Sequence, residues 1–124
     1  MWVRANTNPE RKNVGDCVVR AISIATNKPW LKVYDDICRT GREEYDMPNS
    51  DAVWGLYLYR LGFEPFVLHN RCPQCVTIAE FCKIFPIGTY IIGTGSHAVA
   101  IIDGNYYDSW DSGDQIASYF WRVN

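Results

Sequence analysis

The sequence predicts an α+β domain with its helices in the first half and its strands in the second. Three observations carry this. Apolar residues recur at helical spacing between Cys17 and Leu61, alternation of period two takes over after Thr89, and no helical stretch separates the later strands. The 124 residues are read as one domain (1–124), with an arm at 1–15, a helical half at 16–62 and a mainly β half at 63–124.

The arm holds Asn, Pro, Arg, Lys and Gly, and reads as an extended segment ending in a turn. Asp16 is placed to cap a helix whose apolar positions are Val18, Ala21, Ile22 and Ala25, with Thr26-Asn27 as its stop. Pro29 suits the first turn of a second helix, with Trp30, Val33, Tyr34 and Ile37 as its apolar stripe. Asn49-Ser50-Asp51 caps a third helix carrying Val53, Leu56, Tyr57 and Leu61, and Gly62 closes it. Residues 63–68 read as a strand and 69–76 as a loop. Thr77-x-x-Glu80 is a capping box for a short helix with Ile78, Phe81 and Cys82, broken at Pro86. The segments 89–94, 97–102, 105–110 and 116–123 read as an antiparallel meander packed on the first helix.

A formal charge of −2 gives no electrostatic case for nucleic acid. The local cluster of Arg4, Arg11, Lys12 and Arg20 could make an anion-binding patch, and solvated surface is the expected account. The first residues lack the apolar run of a signal peptide, and no stretch reaches the roughly 18 apolar residues of a membrane span. No membrane or nucleic-acid partner is therefore expected, a cytoplasmic location follows by default, and the oligomeric state stays open. In that compartment the five cysteines are expected to be buried, catalytic or metal-bound rather than paired. Cys38 reads as packed inward. No cofactor is expected; the fallback is a structural zinc on His69, Cys72, Cys75 and Cys82, whose spacing could supply an S₃N set.

The residues that carry chemistry are Cys17 at a helix start, His97 on a strand and an aspartate on the next strand. A thiol needs a base to become thiolate near neutral pH, and the base needs a partner to hold its tautomer. A helix start itself favours a thiolate through its free N–H groups and dipole. A two-residue turn at Asp103-Gly104 puts His97 across from Trp110 and Val99 across from Asp108. His97 and Asp108 then share a face as diagonal neighbours. A three-residue turn would put Asp111 opposite His97 instead, so Asp108 is the expected orienting acid and Asp111 the fallback. Trp110 is expected to shield the Cys–His pair or wall the acyl site. One oxyanion donor is expected to be the Cys17 backbone N–H, and the other a side-chain amide of Asn6, Asn8 or Asn13.

Gly-Asp-Cys-Val-Val-Arg-Ala-Ile at 15–22, Trp30-x-x-Val-Tyr-Asp, Met47-Pro48-Asn49, Gly88-Thr89-Tyr90-Ile91, and His97 followed by Asp103-Gly104-x-x-Tyr107-Asp108-x-Trp110-Asp111 resemble a group of small papain-like proteins. These are encoded in bacteriophages and prophages, chiefly of Gram-positive bacteria. The resemblance implies a papain-like fold with Cys17, His97 and Asp108 as its triad, and does not imply a substrate; a peptide or protein substrate in the bacterial cytoplasm is the expected partner of the chemistry. The peptidase domains that process bacteriocin leaders look like more distant relatives; they carry Gln six residues before the cysteine, where this chain has Arg11. The expected activity is that of a cysteine peptidase or amidase cleaving a peptide, isopeptide or small amide through a thioester. The alternatives are an accessory or host-interaction protein of anti-defence type that keeps the fold and acts by binding, and a thioester-based acyltransferase or transglutaminase.

Overall fold

The computed structural model describes residues 1–124. In chain order the elements are β1 (Trp2–Arg4), α1 (Cys17–Thr26), α2 (Trp30–Glu44), α3 (Asp51–Arg60), β2 (Glu64–Val67), α4 (Ile78–Ile84), β3 (Thr89–Gly93), β4 (Ala98–Ile102), β5 (Asn105–Asp108) and β6 (Tyr119–Arg122). Four helices thus accompany one mixed, six-stranded sheet in the order β1-β5-β4-β3-β6-β2. Only β1 and β5 run parallel. The α+β expectation holds at this level.

Alternation along the strands sends side chains to two cores. Ile91, Ala98, Ala100 and Trp121 join Val18, Ile22, Val33, Ile37, Trp54 and Leu58 of α1–α3. Tyr90, Ile92, Val99, Ile101, Tyr106 and Phe120 instead pack on Ile78 and Phe81 of α4. A sheet apolar on both faces needs cover on both, and α4 supplies the second layer. The capping box of α4 is present: Thr77 Oγ1 accepts from the Glu80 backbone N–H, and the Glu80 carboxylate accepts from that of Thr77.

Two expectations need correction. The arm is not free of regular structure, because β1 lines up with β5, with Trp2 beside Tyr106 and Arg4 beside Asp108. A three-residue strand whose partner is about a hundred residues away leaves no local periodic signal. The meander also stops after three strands. β3, β4 and β5 follow one another as hairpins, but β6 returns to pair with β3 through Ile92 and Phe120, and then with β2. With β1 on the outer edge of β5, that edge is closed to β6.

The β4–β5 register is the one expected. Asp103 (φ 48°) and Gly104 (φ 77°) are both left-handed, as a two-residue hairpin turn of this kind demands, and Ala100 pairs with Tyr107. Gly93, at the end of β3, permits a close approach: the Tyr119 ring occupies the space a Cβ would take, 2.1 Å away.

Candidate functional site

Cys17 is the first residue of α1, and α1 lies across β4, the strand that His97 immediately precedes. Asp108 closes β5 on the other side of β4. The register set by the Asp103-Gly104 turn therefore delivers the three side chains to one end of the sheet. His97 Nε2 lies 2.6 Å from Asp108 Oδ2, which leaves Nδ1 for the sulfur. Cys17 and His97 line the same cleft, whose rim includes Asn13, Val14, Gly15 and Trp110.

The electrostatics follow from these contacts. Burial works to raise the Cys17 thiol, but the His97 hydrogen bond, the Ala98 backbone N–H and the charges of His97 and Arg20 outweigh it and hold the thiol below its ordinary value. Burial works to lower His97, yet the bonds and charges of Asp108 and Cys17 push it up to about 9. Asp108 is also burdened by burial and still held below the usual carboxylate range, by His97, Ser112 and Arg20. The two shifts are mutual: each of Cys17 and His97 favours the charged form of the other.

Asp108 is 1% exposed, and both its oxygens are filled. Besides His97, it accepts from Arg20 Nη2 at 2.9 Å, Ser112 Oγ at 2.6 Å and the Ser109 backbone N–H at 2.8 Å. Arg20 continues through Nη1 to Asp16 Oδ1, and Asp16 Oδ2 accepts from the Trp30 indole at 2.9 Å. Arg20 is thus no solvated surface group; it is buried between two carboxylates. Its signal was in the sequence: a lone charge inside the apolar run Val18–Ile22, one helical turn after Asp16. Ser112 had no such signal.

Asp16 occupies the N-cap position of α1, yet its side chain makes no capping bond. Its φ of −106° and ψ of 21° are not extended as a capping side chain needs, and Arg20 and Trp30 take both oxygens. Asp111 is not brought to His97. It accepts from the Tyr106 hydroxyl and from the Gly113 backbone N–H. Trp110 stays 45% exposed, with its ring centroid 4.9 Å from that of His97, so it covers one side of the imidazole.

Of the three arm asparagines, two are occupied within the arm. Asn6 donates to the Lys12 carbonyl and accepts from the Asn8 N–H, while Asn8 accepts from the Glu10 N–H. Asn13 is the one on the cleft rim. As the first residue of α1, Cys17 has a backbone N–H with no acceptor inside the helix. Asn13 and Cys17 thus line one cleft.

The fallback zinc set is not gathered. Cys72 and Cys75 are joined in a disulfide, contrary to the expectation of unpaired cysteines, and Cys82 packs into the α4-side core. No three His, Cys, Asp or Glu side chains come together to hold a metal. Cys38 is half-buried on the wall of an apolar hollow with Trp30 and Tyr34, rather than packed inward. No helix is long and apolar enough to cross a membrane.

No protein-family profile, curated protein or solved structure matches this chain.

Proposed function

We propose that this chain is a cysteine-type hydrolase, a peptidase or amidase of papain-like kind, with Cys17 as nucleophile, His97 as acid and base, and Asp108 as orienting acid. The observation that carries the reading is the relay from sulfur to imidazole to buried carboxylate, with His97 Nε2 2.6 Å from Asp108. The motif resemblance to small phage-encoded papain-like proteins points the same way, and the acyl chemistry itself suggests a peptide or protein substrate.

In this mechanism the proton already rests on His97 before substrate arrives. The Cys17 thiolate attacks the acyl carbon, forming the C–S bond while the carbonyl electrons move to oxygen. The Cys17 N–H and Asn13 receive that charge. As the oxyanion collapses, the C–N bond breaks and the imidazolium gives its proton to the leaving amine. Water then attacks the thioester, with neutral His97 taking its proton. The acid product leaves, and the thiolate–imidazolium pair is restored. An amine acceptor in place of water would give acyl transfer by the same steps.

The test is the pH dependence of iodoacetamide labelling at each cysteine, read by mass spectrometry in wild type and His97→Ala. Thiolate at Cys17 forms once pH exceeds its lowered pKa, and the imidazolium beside it persists until pH rises through about 9. Cys17 is therefore expected to label fast near pH 6, where an ordinary thiol of pKa about 8.5 is almost wholly protonated. Loss of His97 should abolish that advantage. A Cys17 that titrates like Cys38 in wild type would sink the hydrolase reading and leave a protein that acts by binding.

A further inference from the structure

Beyond the rim formed by Asn13 and Ser109, the cleft continues into a second hollow of about 370 Å³ lined by Arg4, Ala5, Asn6, Arg11, Asn13 and Ser109. Two arginines and two asparagines line this space, and no acidic residue does; Arg4 and Arg11 are exposed, and the Asn6 carboxamide is bonded within the arm. Every carboxylate that forms an ion pair is spoken for elsewhere, by Arg20, Lys32, Arg39, Arg60 or His97, and neither Arg4 nor Arg11 takes part in one.

The hollow is built rather than incidental. Arg4 is held by β1, in register with Asp108 itself. Arg11 sits in a left-handed backbone conformation (φ 53°), fixed by its N–H bond to the Asn8 carbonyl at 2.9 Å. Asn6 and Asn8 brace the same turn from inside the arm. A non-glycine residue at positive φ is uncommon and costs conformational energy. Here it holds the Arg11 backbone at the wall of a hollow that Arg4 also lines, and neither arginine has an ion-pair partner. Two like charges in one hollow repel unless an anion joins them, and a guanidinium fork matches the planar oxygens of carboxylate and phosphate.

We infer that the Arg4–Arg11 hollow is an anion subsite of the cleft, taking an acidic or phosphorylated residue of a peptide substrate next to the acyl group delivered to Cys17. The inference rests on the hydrolase reading for its substrate, but the hollow can be probed without turnover. Asn13, shared by both spaces, would place the subsite directly behind the oxyanion position.

The experiment compares alkylation of Cys17 by three probes of matched reach, each with its α-carboxyl blocked: N-bromoacetyl-aspartate amide, N-bromoacetyl-phosphoserine amide and N-bromoacetyl-asparagine amide. The quantity read is the ratio of each anionic rate to the neutral one. That ratio is expected to fall about fivefold from wild type to the Arg4→Gln/Arg11→Gln double variant. It should fall in wild type as salt is raised through the range where the screening length shortens. The larger of the two ratios identifies carboxylate or phosphate as the preferred group. Ratios that are the same in wild type and the double variant would overturn the subsite.

If Cys17 reacts with none of the probes, the hydrolase reading fails while the subsite is still decided by a second measurement. In Cys17→Ala, the arginine Nε–Hε NMR signals of Arg4 and Arg11 are followed against N-acetyl-aspartate amide and N-acetyl-asparagine amide. Saturating shifts with the anion alone support the subsite, and no shift with either rejects it.

Discussion

Two buried carboxylates in this chain, Asp108 and Asp36, are both held below the usual carboxylate range, and they reach that state by opposite means. Asp108, 1% exposed, is paired with groups that are themselves largely buried: the Arg20 side chain is 6% exposed and that of His97 11%. Asp36 takes Lys32 at 3.0 Å and Arg39 from solvent, with side chains 57% and 64% exposed, and a hydroxyl donor from Tyr57 at 3.0 Å. The first network is sealed and directional, with Arg20 held by a second carboxylate and His97 by the Cys17 sulfur. The second is a carboxylate half-neutralised by flexible arms that water can replace. A depressed pKa alone therefore says little about function; what marks a site is that the partners are fixed and one of them is a base in a cleft.

The largest effect that can test this contrast is Arg20→Met. It leaves Asp16 and Asp108 facing each other without their shared cation, and should cost about 3–5 kcal/mol in urea unfolding, the range for breaking a buried pair. A loss below about 1 kcal/mol would place Arg20 among surface cations and dissolve the distinction. An intermediate effect is expected for Tyr57→Phe. It removes one hydrogen bond to a charged oxygen but leaves Lys32 and Arg39 in place, so about 1.5 kcal/mol is expected. The smallest belongs to Lys32→Gln, expected at about 0–1 kcal/mol and shrinking further with added salt. If Lys32→Gln matched Arg20→Met, exposure of the partner would not be what separates the two networks.

The same contrast shows what was legible in the sequence. Cys17, His97 and Asp108 could be brought together on paper because each belongs to a local pattern. The thiol follows a helix-start signal, and the other two are related by a two-residue turn whose left-handed residues, Asp103 and Gly104, fix strand parity. Asp111 could be set below Asp108 on that argument, and the structure gives Asp111 to Tyr106 instead. Nonlocal features were beyond reach. The parallel pairing of β1 with β5 and the return of β6 to β3 depend on which sheet edge is open, and no periodicity encodes that. Arg20 fell between the two. Its position inside an apolar run was visible, but its second partner lies eighty-eight residues away. The Cys72–Cys75 bond went the other way, because an expectation drawn from compartment replaced one drawn from the three-residue spacing.

The separation between Arg20 and Asp108 has a consequence in time. Synthesis proceeds from the N-terminus, so α1 and its thiol leave the ribosome long before residues 97 and 108 are joined to the chain. Until then Cys17 has neither base nor buried carboxylate, and behaves as any cysteine on a growing polypeptide. Its partners arrive only when the β4–β5 hairpin forms and packs on α1. A chain that stops short of residue 108 would carry the thiol without the carboxylate that holds His97.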